Sequence, residues 1–83
     1  MNKKQIEMCN HKITELSKSI TENYERIQYL KNYVDKDYNE KDYDSYTDYE
    51  EDISDMEKGI DYHEIEISKS KELINWIKVL KNN

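Results

Sequence analysis

Residues 6–34 read IEMCNHKITELSKSITENYERIQYLKNYV, and the spacing of apolar side chains in this stretch decides the fold. Ile6, Cys9, Ile13, Leu16, Ile20, Asn23, Ile27, Leu30 and Val34 follow one another at alternating intervals of three and four residues. That repeat gathers the side chains into one stripe along an α-helix, the a/d seam of a coiled coil. Only Asn23 in the stripe is strongly polar. A second seam runs through Tyr46, Tyr49, Ile53, Met56, Ile60, His63, Ile67, Ser70, Ile74 and Ile77. The two registers do not join. Continued, the first would place a seam position at Asp48, where the second has Tyr46. The break therefore falls within roughly 37–45, among Asp, Asn and Tyr residues.

These seams predict an all-α chain folded as an antiparallel helical hairpin of coiled-coil type. One domain spans 1–83, with a first helix over about 2–36, an acidic, tyrosine-rich turn over about 37–46, and a second helix over about 47–81. Asn2 with Gln5 is expected to cap the first helix, and Thr47 with Glu50 forms a capping box for the second. The chain has no proline and a single glycine, Gly59, which favours long helices over a disordered linker. The glycine costs its helix about 1 kcal/mol relative to alanine. Its plainer reading is a tolerated surface position; the other is a close helix approach or a bend.

In the antiparallel arrangement, seam residues whose numbers sum to 83 face each other along the whole length. Val34 meets Tyr49, Leu30 meets Ile53, Ile27 meets Met56, Leu16 meets Ile67, and Ile6 meets Ile77. Lys31 is then expected beside Glu50. A parallel homodimer would set Arg26 near Lys31 and Asp52 near Glu57. Those like-charge contacts disfavour it, although each costs only tenths of a kcal/mol when exposed.

The second helix has a further stripe, Tyr62, Ile65, Trp76 and Val79. Leu73 and Leu80 add to it, so its C-terminal third is apolar on most sides. One facing helix cannot cover that surface. A homodimer closing into a four-helix bundle would, as would a partner protein. Leu73, Trp76 and Leu80 are the candidate oligomerisation residues.

Charge is distributed as unevenly as hydrophobicity. Residues 35–57, DKDYNEKDYDSYTDYEEDISDME, hold eleven acidic side chains and two lysines, a formal charge of −9 in a chain whose net charge is −6. The remainder is mildly basic. Asp48, Glu50, Glu51 and Asp52 suit the start of a helix, where the macrodipole favours anions. The acids ahead of the helix have no such explanation. Nor does the choice of tyrosine as the aromatic residue, with eight Tyr and no Phe. Tyrosine brings a large contact area with a polar tip, a composition typical of binding surfaces. The plainer reading is a solvated turn. The functional reading is a docking patch for a basic groove, in which carboxylates stand where nucleic-acid phosphates would. The same charge repels nucleic acid itself.

Specific chemistry finds little support. Asp35, Asp37 and Asn39 match the opening of a calcium-binding EF-hand loop, but Glu40 replaces its turn glycine and Tyr46 its bidentate glutamate. Cys9, His11 and His63 do not come together around zinc in the hairpin register: His63 faces Ile20, and His11 points outward. No phosphate-binding loop, C-x-x-C or nucleophile–histidine–acid spacing is present. The carboxylates lie in the most solvated stretch, where nothing raises a pKa for acid catalysis. No enzymatic activity, cofactor or metal is expected. Cys9, the one cysteine, cannot form an internal disulfide, which suits a reducing cytoplasm. The opening MNKKQIEMCNHK lacks the apolar run of a signal peptide, and no segment has the length of a membrane span.

Acidic run, small size and absence of catalytic motifs together resemble the small acidic proteins that phages make against host defence nucleases, the anti-CRISPR proteins and other DNA mimics. The resemblance rests on residues 35–57. It implies a non-enzymatic inhibitor in the bacterial host cytoplasm that docks on a basic, nucleic-acid-binding surface of a protein such as a Cas nuclease. Asp42, Asp44, Asp48, Glu51, Asp52 and Asp55 would stand in for phosphates, and Tyr38, Tyr43 and Tyr46 would pack against the target. The alternative is a structural adaptor or oligomerisation module that works through its seams and its C-terminal apolar face.

Overall fold

The computed structural model describes residues 1–34 and 45–82, and among them the only regular elements are two helices. Helix α1 spans Lys3–Val34 and helix α2 spans Tyr46–Asn82. They pack against each other as a hairpin, an elongated rod of 61 × 14 × 14 Å. The expected positions Asp35, Lys36 and the turn up to Asp44 lie outside the described residues.

The 3–4 spacing is the cause of this packing. Leu16, Ile27, Leu30, Ile67 and Ser70 are buried, and the other seam positions of both helices are half-buried. Tyr46 is the exception at 58% exposed, because it opens α2 and its ring lies against Tyr49, with centroids 5.5 Å apart. Even Ile27 and Ile67, the most enclosed side chains, retain 5% of their surface. A single seam between two helices leaves both flanks wet, so the hairpin has one line of core and no second layer.

Each helix start has an identifiable cause. At α1, the Asn2 backbone N–H donates to Gln5 Oε1 at 3.0 Å, and the Gln5 N–H donates to Asn2 Oδ1 at 2.9 Å. This reciprocal pair is the box read from the sequence. At α2 the expected Thr47–Glu50 box does not form. The Asp48 N–H donates instead to Ser45 Oγ at 3.2 Å, and the Tyr49 N–H donates to the Ser45 carbonyl. Ser45-x-x-Asp48 carries the same serine-then-acid signal two residues earlier, and it brings Tyr46 into the helix beside Tyr49.

Contacts across the seam show how side-chain direction modifies the register. His63 was expected opposite Ile20, but its ring bonds to Asn23, one turn further along α1. Side chains lean toward the N-terminus of their own helix, so in an antiparallel pair those at one level lean apart and each meets a residue further along the facing helix. Contacting residues therefore sit beyond the levels of their Cα atoms. The other cross-helix contacts depart further: Leu30 meets Gly59 and not Ile53, Lys71 Nζ donates to Tyr24 OH at 3.1 Å, and Lys81 Nζ donates to Asn10 Oδ1, so the helices are set several residues off the expected sum of 83.

Gly59 lies at the helix interface, not on the open surface. It is half-buried, and a Cβ placed on it would come within 3.3 Å of Leu30 Cδ1. α2 runs through it without interruption. The close-approach reading thus holds over the surface one. The expected Lys31–Glu50 ion pair is not formed. Among the described residues the three ion pairs, His11–Glu15, Lys12–Glu15 and Glu66–Lys69, all lie within one helix. Cross-helix charge pairs therefore contribute little to the hairpin, which rests on apolar burial and one polar contact in the seam.

Candidate docking face

Helical geometry sorts the remaining residues of α2 onto its outer side, nearly opposite the seam. Asp48, Glu51, Asp52 and Asp55 follow the spacing i, i+3, i+4, i+7, so they share one face. All four are exposed. Continued along the helix, the same face carries Lys58, Tyr62, Ile65, Lys69, Glu72, Trp76 and Val79, with Leu73 and Leu80 on its flank. The outer side of α2 is thus one surface with two chemistries. It is acidic near the Ser45 cap and apolar toward Asn82.

The acidic half is regular and unneutralised. Asp48 sits in the first turn of α2, where the positive end of the macrodipole favours it. None of Asp48, Glu51, Asp52 and Asp55 belongs to an ion pair among the described residues. From Asp48 to Asp55 the axis advances about 10 Å, in steps of about 4.5, 1.5 and 4.5 Å, so four carboxylates are concentrated along one short stretch of helix. Tyr46 is also exposed, but it lies on the seam side of α2 against Tyr49, away from this row. Asp42, Asp44, Tyr38 and Tyr43, the other expected contact residues, lie outside the described residues.

The apolar half is the larger anomaly. Trp76 is 62% exposed and Tyr62 59%, and Ile65, Leu73, Val79 and Leu80 are also open to solvent. Scattered exposed hydrophobes are ordinary in a soluble protein, but a contiguous stripe of them marks an interaction surface. The Trp76 and Val79 side chains border a shallow apolar groove with Glu72 and Asn75. The expected oligomerisation residues Leu73, Trp76 and Leu80 are therefore all available on one side of α2.

The candidate metal ligands are dispersed. Cys9 is a half-buried seam residue, His11 Nε2 lies 2.9 Å from Glu15 on the outside of α1, and His63 faces Asn23. Among the described residues no group of three or more His, Cys, Asp or Glu side chains is placed to hold a metal ion. No described helix is long and apolar enough to cross a membrane.

One arrangement escaped sequence reasoning. Asn23 Nδ2 donates to the Ser19 carbonyl at 2.8 Å, which turns Oδ1 toward His63 Nδ1 at 2.7 Å. With the amide nitrogen committed, Oδ1 is the acceptor, and the proton belongs on Nδ1 of the imidazole. The strongly polar residue of the first seam thus meets the histidine of the second. The available signal was that Asn23 and His63 interrupt largely apolar seams within one turn of the same level. A polar pair in a seam penalises slipped registers, where each partner would be left unsatisfied.

Comparison of the chain with known protein families, characterised proteins and solved structures returns no match.

Proposed function

We propose that this protein is a non-enzymatic binding protein that inhibits a nucleic-acid-handling target by docking the acidic start of α2 on its basic surface. The observation that carries this reading is the exposed row Asp48, Glu51, Asp52 and Asp55, which sets four negative charges within about 10 Å along one helix face. The acids of residues 35–44 extend the same charge in the sequence. A target built to bind DNA or RNA presents the complementary field, and steering by that field speeds association. A Cas nuclease in the cytoplasm of a bacterial host is the type of target proposed, with the protein acting as anti-CRISPR proteins of the DNA-mimic kind do. The apolar end of α2 serves self-association in this proposal, through Leu73, Trp76 and Leu80.

The test is a competition assay in which the protein displaces target duplex from guide-loaded Cas nucleases at low and at high salt. Displacement is expected at low salt and is expected to fall steeply as salt rises. The combined variant Asp48→Lys, Glu51→Lys, Asp52→Lys, Asp55→Lys should abolish it. A partner interaction that survives these reversals unchanged would reject the acidic face as the docking site.

A second reading is supported by the exposed stripe itself. In it the protein is an adaptor whose C-terminal apolar face grips another protein and whose acidic end keeps it dissolved. Partner binding would then tolerate both salt and the four reversals, and would be lost on Trp76→Ala.

A further inference from the structure

The outer stripe of α2 reads almost the same in both directions. Tyr62, Ile65, Lys69, Glu72, Trp76 and Val79 are separated by three, four, three, four and three residues, a spacing symmetric about its centre. The chemistry is symmetric too: two apolar residues, a cation, an anion, two apolar residues. An antiparallel second copy pairs Tyr62 with Val79, Ile65 with Trp76 and Lys69 with Glu72, each twice by symmetry. Such self-complementarity is what a two-fold interface requires, because one patch must serve as its own partner.

We infer that α2 pairs with α2 of a second copy of this chain, antiparallel, around a two-fold axis between Lys69 and Glu72. The inference rests on the self-association proposed above and assigns its geometry. Three observations carry it. The stripe is exposed along its length, with Trp76, the largest side chain on it, 62% open. Its central charges are opposite, whereas a parallel pairing would set lysine on lysine and glutamate on glutamate. Flanking positions agree: Ser68 approaches Asn75 of the second copy, and Leu73 lies along the aliphatic stem of Glu66, so no like charges meet.

Area is adequate without the acidic end. Trp76 and Tyr62 each expose roughly 150 Å², and Ile65, Leu73, Val79 and Leu80 roughly 100 Å² each, which together approach the ~800 Å² per partner of a standard interface. Apolar burial supplies the affinity, and the Lys69–Glu72 contacts select the orientation. Because this face lies nearly opposite the seam, the four helices stand in a row, α1 outermost on both sides. Both acidic ends point outward along the assembly and remain free for a partner.

Sedimentation velocity and cysteine cross-linking test the inference together. The wild-type protein should sediment as a dimer at tens of micromolar. Lys69→Glu and Glu72→Lys, each of which reverses both central contacts, should weaken association roughly tenfold or more while leaving the helical circular dichroism signal intact. The double variant Lys69→Glu, Glu72→Lys restores opposite charges in the antiparallel register and should recover the dimer; the cross-linking separates this register from a parallel one. In a Cys9→Ser background, Ser68→Cys mixed with Asn75→Cys should give the mixed disulfide faster than either variant cross-links with itself. A wild-type monomer at these concentrations would overturn both self-association and this geometry. A dimer that ignores the charge reversals, or in which Ser68→Cys cross-links preferentially with itself, would overturn the geometry alone.

Discussion

Helix α1 has one apolar face and helix α2 has two. On α1, the half-buried and buried positions form one stripe against α2, and most of the outer surface is Lys, Glu, Ser, Thr and Asn. On α2 the seam is equally regular, but the back of the helix carries Tyr62, Ile65, Leu73, Trp76, Val79 and Leu80 in the open. The hairpin explains the apolar seam of α1, which leaves only Met8, Tyr24 and Tyr29 scattered in the open, and only half of what is apolar on α2. A helix whose sequence places hydrophobes on two opposed faces is adapted to stand between two neighbours, and the described residues supply only one of them.

The sharpest way to break that comparison is to remove side chains from each face of α2. Ile67→Ala empties a buried seam position and should cost about 2–4 kcal/mol, enough to unfold most of a hairpin with a single line of core. Thermal melting by circular dichroism reads the loss. Val79→Ala on the outer face should leave the melting of a dilute sample nearly unchanged. Equal losses from the two substitutions would mean that the outer face is folded against something within the chain.

A smaller effect is expected within the seam. Asn23→Ala or His63→Ala leaves one polar partner without its hydrogen bond and should cost about 1–3 kcal/mol. Replacing both with leucine should be nearly neutral or stabilising, at the expense of register. Denaturant unfolding of the single and double variants gives their coupling. Additive losses would show that the two residues do not act as a pair.

The smallest effect concerns the start of α2. Ser45→Ala should destabilise by about 1 kcal/mol, since it removes the acceptor for the Asp48 N–H. Thr47→Ala, by contrast, should stay within about 0.5 kcal/mol, as expected for an exposed position without a capping bond. The reverse order in urea unfolding would restore the Thr47 cap.

Those two residues also show where the sequence was legible and where it was not. Heptad spacing located both seams almost residue by residue, because a 3–4 repeat has only one way to face a partner. Asn2 and Gln5 were equally readable, since no competing serine, aspartate or threonine lies nearby. At α2, Ser45-x-x-Asp48 and Thr47-x-x-Glu50 offer the same local signal, and only tyrosine packing at the helix start separates them. The Asn23–His63 contact eluded a rule that pairs residues by level, because it ignored the lean of each side chain. Gly59 looked like a surface residue until Leu30 was found against it. The acidic row and apolar stripe of α2 were visible as composition, but their union on one outer face depends on helix phase carried unbroken through Gly59.

Trp76 is the one tryptophan of the chain, so its fluorescence tests the central claim that the apolar end of α2 is an interface. A dilution series from about 100 μM to about 0.1 μM spans the usual range of small homodimers, and these concentrations bracket affinities of about 5–10 kcal/mol. The account predicts blue-shifted emission at the concentrated end and a cooperative shift to the red on dilution. That transition should persist in high salt and in the Asp48, Glu51, Asp52 and Asp55 reversals. Emission that stays at the red, solvent-exposed limit throughout the series would contradict it.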